Sequence, residues 1–351
     1  MKIRLCTLLL LAFAFTSNAA YAGNNHHHTK HHRHHTNHNH RTYHVDSSVL
    51  NVSSHIALIY DEQTHLPLYT KNVDVVVPIA SITKLMTAMV TLDAKLPMDE
   101  TITVGDGDLH LMRSKSRLKI GMQFTRSELL NLALMSSENR AALALAKSYP
   151  GGEDAFIVAM NVKAQRLGMT NTQFFDPTGL DSDNVSTAED LVKMVDAAQH
   201  YQLIHQYTTT TGHTLDNLGG HNLKYHNTNP LVSDPSWDIG VSKTGFIRKA
   251  GRCLVMQATI NNRPVIIVLL HSNGKKTRFA DATRVRHWME KFVVPPEPKV
   301  YAKAPHTDMV ASLLQPSNGI PFVSAAEHTN VCMNDTRAYS HMTEQEASVA
   351  K

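Results

Sequence analysis

Three short motifs in this chain bring together the residue types of a serine acyl-transfer site. In chain order they are Ser81-Ile82-Thr83-Lys84, Ser137-Glu138-Asn139 and Lys243-Thr244-Gly245. A serine hydroxyl is a poor nucleophile near neutral pH, so it needs a positioned base and a place for the developing oxyanion. Positions three apart on a helix share one face. The first motif therefore predicts Ser81 as the nucleophile and Lys84 as its base.

Each motif alone is weak, because the chain also contains Ser116-Arg117-Leu118-Lys119 and Ser182-Asp183-Asn184. The order of the three motifs and the elements around them distinguish the set. A lysine is a base only when unprotonated, and burial and the nearby charge of Lys243 would both lower the pKa of Lys84. The helix N-terminus also favours negative charge developing at Ser81.

The second motif lies between two predicted helices, the later one over residues 140–149. On such a connection Ser137 could relay a proton between Lys84 and a leaving amine, and Asn139 could hold a backbone amide of a peptide substrate. The structural alternative is a helix-capping loop, in which Ser and Asn are common.

The third motif lies in a predicted strand. Gly245 has no side chain to pack there, which permits close approach of another backbone. An extended peptide could add along this strand edge, with Lys243 and Thr244 binding a substrate carboxylate. In isolation, Lys-Thr-Gly is more often a turn at the end of a strand.

Hydrophobic periodicity predicts the elements that position the motifs. We expect a β-hairpin over 56–69 and a buried helix over 81–92 with Ser81 at its N-terminus. Capping-box patterns predict helices that begin at Thr125 and at Ser186.

The order of the remaining predicted helices and strands indicates the fold class. A helix is predicted over 153–167, and beyond Trp237 three sequential antiparallel strands are expected: the Lys-Thr-Gly segment, 253–260 and 265–270. A last helix is expected to direct one set of side chains toward a core: Phe279, Ala282, Val285, Trp288, Met289 and Phe292. Strands at both ends with helices between them predict an α+β fold, an antiparallel sheet flanked by helices with an inserted helical subdomain.

Residues 1–22 have the pattern of a secretory signal peptide. Lys2 and Arg4 precede an apolar run over 8–15 and a small-x-small site at Ala20-Tyr21-Ala22. The apolar run is too short to span a bilayer comfortably. We therefore expect an exported, periplasmic protein whose mature chain begins near Gly23 and retains no transmembrane segment.

Both flanks of the predicted 50–295 domain are polar. Residues 23–49 are rich in histidine and are expected to form a disordered linker, while 296–351 are expected to form a flexible tail. A solvated spacer is the simpler interpretation of the histidine-rich linker. Metal binding is the alternative, with these candidate ligands: His26, His28, His31, His34 and His38.

Charge and cysteine content narrow the class of protein. The net charge of +4 is mild, and no Lys/Arg stripe suggests nucleic acid, although an anionic cell wall would attract the chain weakly. Export would leave Cys253 and Cys332, too few for a disulfide scaffold. Cys253 lies in an apolar strand and is interpreted as a small buried hydrophobe, and its pairing with Cys332 stays open.

Residues from about 50 to 293 resemble the low-molecular-mass penicillin-binding proteins, which are serine D-alanyl-D-alanine peptidases with a β-lactamase-like fold. The closest likeness is to the D-alanyl-D-alanine endopeptidase type. Three extended stretches carry the resemblance: Pro-Ile-Ala-Ser-Ile-Thr-Lys-Leu-Met-Thr-Ala-Met over 78–89, Leu-Met-Ser-Ser-Glu-Asn-Arg-Ala-Ala over 134–142, and Asp-Pro-Thr-Gly-Leu over 176–180.

The resemblance implies roles for particular residues. Ser81 would be the nucleophile and Lys84 the base, Ser137 and Asn139 the second element, and Lys243 and Thr244 the carboxylate site. The oxyanion hole would use the backbone N–H groups of Ser81 and Phe246. No metal or organic cofactor is implied.

The resemblance also implies peptidoglycan peptide stems as substrate and β-lactam antibiotics as acylating inhibitors. Cleavage of cross-links by an endopeptidase is the expected activity, with a D-alanyl-D-alanine carboxypeptidase as the alternative. A β-lactamase is a weaker alternative, since the chain has no Glu-x-x-Leu-Asn pattern between the second and third motifs. A non-catalytic wall-binding protein is a further one. The chain departs from many family members in its histidine-rich linker and in lacking a large C-terminal β-domain.

Overall fold

A computed structural model describes residues 50–105, 116–215 and 222–293. The predicted signal peptide (1–22), histidine-rich linker (23–49) and C-terminal tail (296–351) lie outside the described residues. The candidate metal-binding histidines and Cys332 lie there too. Within the described ranges, no helix has the length and apolar character needed to span a bilayer.

The strands of the described chain range from short bridging pieces to long ones. They are β1 (Ile56–Asp61), β2 (Leu66–Lys71), β3 (Val77–Pro78), β4 (Thr101–Thr103), β5 (Gln123–Thr125), β6 (Val185–Ser186), β7 (Gly212–Leu215), β8 (Leu223–His226), β9 (Asp238–Ile247), β10 (Gly251–Ile260) and β11 (Arg263–Ser272).

The main sheet has five antiparallel strands in the order β2-β1-β11-β10-β9. The predicted hairpin is confirmed as β1 and β2, and the three predicted C-terminal strands are confirmed as β9, β10 and β11. Strand β1 pairs with β11, with Ile56 opposite Leu270. The two ends of the domain thus close one sheet, which leaves β9 at an edge.

Helices occupy the chain between the two groups of long strands and follow the last strand. They are α1 (Lys84–Asp93), α2 (Arg126–Met135), α3 (Asn139–Lys147), α4 (Gly152–Arg166), α5 (Ala188–Gln199), α6 (Gln202–Thr209) and α7 (Thr277–Phe292), with 3₁₀ turns at Ala80–Thr83 and Pro230–Ser233.

The sheet separates two cores, as alternation along its strands requires. On one face, Leu58 and Val268 pack with helices α1 to α6, and on the other, Ile59 and Ile267 pack with α7. Every residue of α1 from Lys84 to Thr91 is buried. A helix buried on all sides lies at the centre of a domain, which confirms the predicted α+β layout with a helical insertion.

Two local predictions are wrong. Helix α5 is capped by Thr187, whose hydroxyl accepts from the Asp190 amide at 3.2 Å, and not by Ser186, because Ser186 pairs with Val77 in β6. The Phe292 side chain is 40% exposed, since it stands at the last residue of α7. The capping box at Thr125 is confirmed.

Cys253 is fully buried in β10, as expected of a small hydrophobe. Its thiol is free and approaches the Ala250 carbonyl oxygen at 3.6 Å. Burial raises the pKa of the Cys253 thiol to about 11. The thiol is therefore protonated and unreactive near neutral pH.

A buried carboxylate on α7 holds the start of the described chain. The Asp281 side chain is fully buried and accepts from the Ser53 amide at 2.9 Å, the Ser54 amide at 2.8 Å and the Ser54 hydroxyl at 2.6 Å. Arg284 also donates to this carboxylate, at 2.5 Å. This cluster fixes the segment that leads into β1.

Asp281→Asn should therefore destabilise the fold. The amide cannot accept all of these hydrogen bonds, so the free energy of unfolding should fall by about 2 kcal/mol. Urea denaturation measures the change. Asp99→Asn, at an exposed turn position, is the matched control and should leave the midpoint unchanged; equal midpoints for both variants would contradict the role given to Asp281.

Candidate active site

The first motif forms a compact turn. Ser81 lies in the 3₁₀ turn that leads directly into α1, and Lys84 is the first α1 residue. The Lys84 Nζ lies 3.0 Å from the Ser81 Oγ, so the predicted contact three residues along the helix is present. The competing Ser-x-x-Lys lacks this geometry, because Lys119 is exposed.

Two carbonyl oxygens fix the direction of the Lys84 amine. Its Nζ lies 2.6 Å from Asn139 Oδ1 and 2.6 Å from the Thr178 carbonyl oxygen. A neutral amine has two N–H donors and one lone pair. When those donors serve the two carbonyls, the lone pair faces the hydroxyl of Ser81, which is the geometry that a general base requires.

Burial favours the neutral form of the Lys84 amine near neutral pH. The Lys84 side chain is fully buried, and this desolvation lowers its pKa to about 7, against the raising effect of the Asp176 and Glu138 carboxylates. The predicted depression of the Lys84 pKa is present. Burial is the cause of the lowering; the sequence also predicted a lowering effect of the Lys243 charge, which is not among the causes of the Lys84 shift.

The second motif places its serine in a strained conformation. Ser137, between α2 and α3, has φ 61°, in the left-handed region. For a residue with a side chain this costs about 1–2 kcal/mol. Its Oγ accepts from Lys243 Nζ at 2.9 Å. This backbone conformation directs the Ser137 hydroxyl toward Lys243. Strained conformations of this kind persist where the surrounding structure enforces them.

Lys243 is a second buried lysine in the site. Its Nζ donates to Ser137 Oγ and to the Thr244 carbonyl, each at 2.9 Å. Burial, followed by the charges of Lys84 and Arg278, lowers its pKa well below the usual value. Lys243 thereby links the third motif to the second, and its direct binding of a substrate carboxylate stays a prediction.

Asn139 differs from expectation in its position. It is the first residue of α3, with Glu138 as the N-cap, and does not belong to the connection. Its Oδ1 faces Lys84. The structure therefore gives Asn139 a role in orienting the base, and its predicted hold on a substrate amide stays a prediction.

Gly245 brings β9 against the nucleophile. A Cβ added at Gly245 would lie 2.9 Å from the Ile79 carbonyl oxygen and 3.2 Å from the Ser81 nitrogen. The backbone that approaches Gly245 is that of the chain itself, and the predicted approach of an extended peptide stays a prediction. Phe246 follows directly and its side chain is 55% exposed. The Ser81 and Phe246 N–H groups, which the resemblance assigns to the oxyanion hole, therefore lie on neighbouring segments.

Thr244 completes the third motif at the sheet edge. Its hydroxyl donates to the Thr228 hydroxyl at 2.7 Å. The Thr228 amide in turn donates to the Met135 carbonyl oxygen at 3.1 Å, at the end of α2. The strand edge is thus fastened to the helices that carry the second motif.

A loop over 176–184, to which the three motifs assign no role, holds the Thr178 carbonyl in place. The fully buried Asn184 accepts from the Phe175 amide at 2.7 Å and donates to the Asp176 carbonyl at 2.9 Å. The Asp176 carboxylate accepts from the Gly179 amide at 2.7 Å. Asn184 is the residue of the decoy Ser-x-Asn, and its function here is to shape this loop.

The described residues contain no group of three or more His, Cys, Asp or Glu placed to hold a metal ion. The chemistry of the described site is that of two lysines, two serines and an asparagine.

The chain matches the family model described as D-alanyl-D-alanine carboxypeptidase over residues 42–274, within the S11 peptidases. It belongs to this family of serine D-alanyl-D-alanine peptidases. Its match to the D-alanyl-D-alanine endopeptidase of Pseudomonas aeruginosa is 51% identical over 241 residues, covering 68% of this chain and 78% of that protein. The D-alanyl-D-alanine endopeptidase of Escherichia coli is 48% identical over 267 residues, covering 74% of this chain and 86% of that one.

The fold of this peptidase is similar to that of solved relatives. The DD-transpeptidase of Streptomyces K15 superposes with a TM-score of 0.63 at 30% identity, covering 68% of this chain and 97% of that structure. Penicillin-binding protein D2 of Listeria monocytogenes, solved with bound cefotaxime, gives a TM-score of 0.60 at 29% identity, covering 68% of this chain and 98% of that structure. The predicted fold class is confirmed.

The Lys84 pKa sets an expected pH dependence. Protonated Lys84 has no lone pair, so the rate of Ser81 acylation by a β-lactam should rise between about pH 6 and about pH 8, with a midpoint near 7. Stopped-flow acylation rates measure it, with circular dichroism as the control for folding. A rate that stays constant across this range would contradict the base role of Lys84.

Gly179 offers a test of the loop that holds Thr178. It has φ +78°, and a Cβ would lie 1.9 Å from the Ala80 carbonyl oxygen. Gly179→Ala should displace the loop and lower the acylation rate by about a hundredfold. Gly152 has φ +77° with nothing within 4 Å, so Gly152→Ala shares the conformational cost without the clash. Equal acylation rates for the two variants would contradict this positioning role.

Proposed function

We propose that this protein is a serine D-alanyl-D-alanine endopeptidase that hydrolyses peptide cross-links of peptidoglycan through an acyl-enzyme on Ser81. The observation that carries the proposal is the Lys84 amine, 3.0 Å from the Ser81 hydroxyl and held by two carbonyl acceptors. The endopeptidase names of the two relatives at 51% and 48% identity support the choice of bond. Hydrolysis of such cross-links is a step of cell-wall remodelling.

In the proposed acylation, the Ser81 oxygen attacks the D-alanine carbonyl carbon while its proton passes to Lys84. The carbonyl oxygen takes up negative charge, and the N–H groups of Ser81 and Phe246 stabilise it. Collapse of the tetrahedral intermediate breaks the amide bond, and the leaving amine receives a proton through Ser137. Water then hydrolyses the ester and restores the Ser81 hydroxyl.

Lys243 and Thr244 are the proposed binding groups for the carboxylate next to the scissile bond. In a cross-link through a diamino acid such as meso-diaminopimelate, the carbon that bears the cross-linked nitrogen also bears a free carboxylate. The terminal D-alanine of an uncross-linked stem carries its carboxylate at the corresponding place. The three motifs therefore fit a cross-linked stem and an uncross-linked stem equally well.

A carboxypeptidase is the second candidate, favoured by the family description that the chain matches. Both activities break a bond after D-alanine and use the same acyl-enzyme. The likeness to relatives named endopeptidase favours the first candidate. The buried lysine at the serine hydroxyl speaks against a non-catalytic wall-binding protein.

The proposed location is the periplasm, supported by the signal-peptide pattern over 1–22. The histidine-rich linker is proposed as a solvated spacer that precedes the folded domain. Metal binding by this linker remains a hypothesis that zinc titration of the chain with and without residues 23–44 would test.

Ser81→Ala should abolish both covalent labelling by benzylpenicillin and cleavage of purified cross-linked muropeptide dimers. Intact-mass spectrometry measures the first and chromatography of the products the second. Ser116→Ala, in the decoy Ser-x-x-Lys, is the matched control and should retain both.

Labelling that survives in Ser81→Ala would contradict Ser81 as the nucleophile. Release of D-alanine from pentapeptide stems, with dimers left intact by the wild-type protein, would favour the carboxypeptidase over the endopeptidase.

A further inference from the structure

A threonine outside the three motifs contacts the proposed carboxylate site. The Thr244 hydroxyl donates to the Thr228 hydroxyl, with 2.7 Å between the two oxygens. Thr244 is 5% exposed and Thr228 is half-buried. The pair therefore lies at the border between the interior and the edge strand β9.

The turn that carries Thr228 is fixed by the asparagine on each side of it. Asn227 donates from its side-chain amide to the Thr208 carbonyl oxygen at 2.8 Å. Asn229 is 1% exposed and donates to the hydroxyl of Ser242, the β9 residue before the Lys-Thr-Gly motif, at 2.8 Å. These two anchors hold the Thr228 hydroxyl at a defined place beside β9.

The hydrogen bond between the two threonines has the wrong direction for carboxylate binding. A hydroxyl has one proton to donate and two lone pairs that accept. The Thr244 proton is directed to Thr228, whereas an ionised carboxylate can only accept. For Thr244 to bind a carboxylate, its proton must turn away from Thr228.

The proton of the Thr228 hydroxyl can take its place. When both hydroxyls rotate, Thr228 donates to Thr244, and Thr244 donates to the carboxylate. One hydrogen bond still joins the two threonine oxygens, so the rotation itself costs little. Hydrogen bonds in a chain polarise one another. A Thr244 hydroxyl that accepts from Thr228 is therefore a better donor to the carboxylate.

We propose that Thr228 is a positioning residue for the carboxylate site, and that its hydroxyl makes a reversible hydrogen bond with Thr244. Without substrate, Thr228 accepts from Thr244 and fixes the orientation of that side chain. With a carboxylate bound, Thr228 donates to Thr244 and strengthens the bond from Thr244 to the carboxylate. This inference rests on the proposed function, in which Lys243 and Thr244 bind the carboxylate next to the scissile bond.

The test compares benzylpenicillin with its methyl ester as acylating probes. In benzylpenicillin the carbon bonded to the β-lactam nitrogen carries a carboxylate, and the ester removes the charge of that group. Thr228→Val keeps the shape of the side chain and removes the hydroxyl. It should lower the second-order rate constant for Ser81 acylation by benzylpenicillin about tenfold, because a hydrogen bond to a charged group is weakened.

The rate constant for the methyl ester should be the same in wild type and Thr228→Val, because a neutral acceptor gains much less from a strengthened donor. Intact-mass spectrometry over time measures both reactions. Thr228→Ser keeps a hydroxyl and should restore the wild-type rate with benzylpenicillin. Thr214→Val is the matched control, since Thr214 is exposed in β7, and it should behave as wild type with both probes.

A double variant separates the link to Thr244 from a general effect on the site. In a protein that already carries Thr244→Val, the hydroxyl that Thr228 serves is absent. Adding Thr228→Val to it should therefore cause no further loss with benzylpenicillin. A further loss of the size seen in the single variant would mean that Thr228 acts by another route and would overturn the inference.

The outcomes distinguish this inference from the function on which it rests. A wild-type protein that benzylpenicillin does not acylate would overturn the proposed function together with the inference. If the wild type is acylated, equal losses with the acid and the ester in Thr228→Val would mean a structural role and would overturn the inference alone. An unchanged or faster reaction of Thr228→Val with benzylpenicillin would also overturn it, since Thr228 would then give Thr244 no help or would compete for its proton.

Discussion

The desolvated Lys84 amine is the interaction on which the site depends. A buried ammonium is costly, and the protein lowers that cost by giving up the proton and not by supplying a close carboxylate. The result is an amine with a pKa of about 7, so that its unprotonated form is available at neutral pH beside its serine. The helix that carries it is central, and the burial of that helix on every side keeps the Lys84 side chain from water.

Strained backbone flanks this base on both sides. Ala80 has φ 49° immediately before the nucleophile, and Ser137 has φ 61° in the second motif. Neither residue is a glycine, so both conformations are enforced by their surroundings. Around Ala80 these surroundings are Gly179 and Gly245, whose missing side chains let two other backbones press against it. The fold stores strain where the reacting groups meet.

Much of the geometry of the site could be predicted from the sequence. The Ser81–Lys84 contact follows from helical spacing. The glycine within a strand indicated room for another backbone, but not that the chain's own segment around Ile79 and Ser81 would occupy it. The Thr178 carbonyl could not be predicted, because a backbone acceptor leaves no residue-type signal and its position depends on long-range bonds from Asn184. The first turn of α5 was misplaced for a similar reason, since Ser186 is held by a partner strand far away in the chain.

The open edge of β9 has a consequence for the behaviour of the protein in concentrated solution. An edge strand with free backbone groups can pair with another copy of itself as readily as with a peptide, which leads to aggregation. The peptide substrate that the sequence predicts along β9 would need the same edge, so the protein cannot cover it. The turn after β9 and the start of β10 carry Arg248, Lys249 and Arg252, and the mutual repulsion of these cations in two approaching copies keeps the edge open while still attracting anionic peptides.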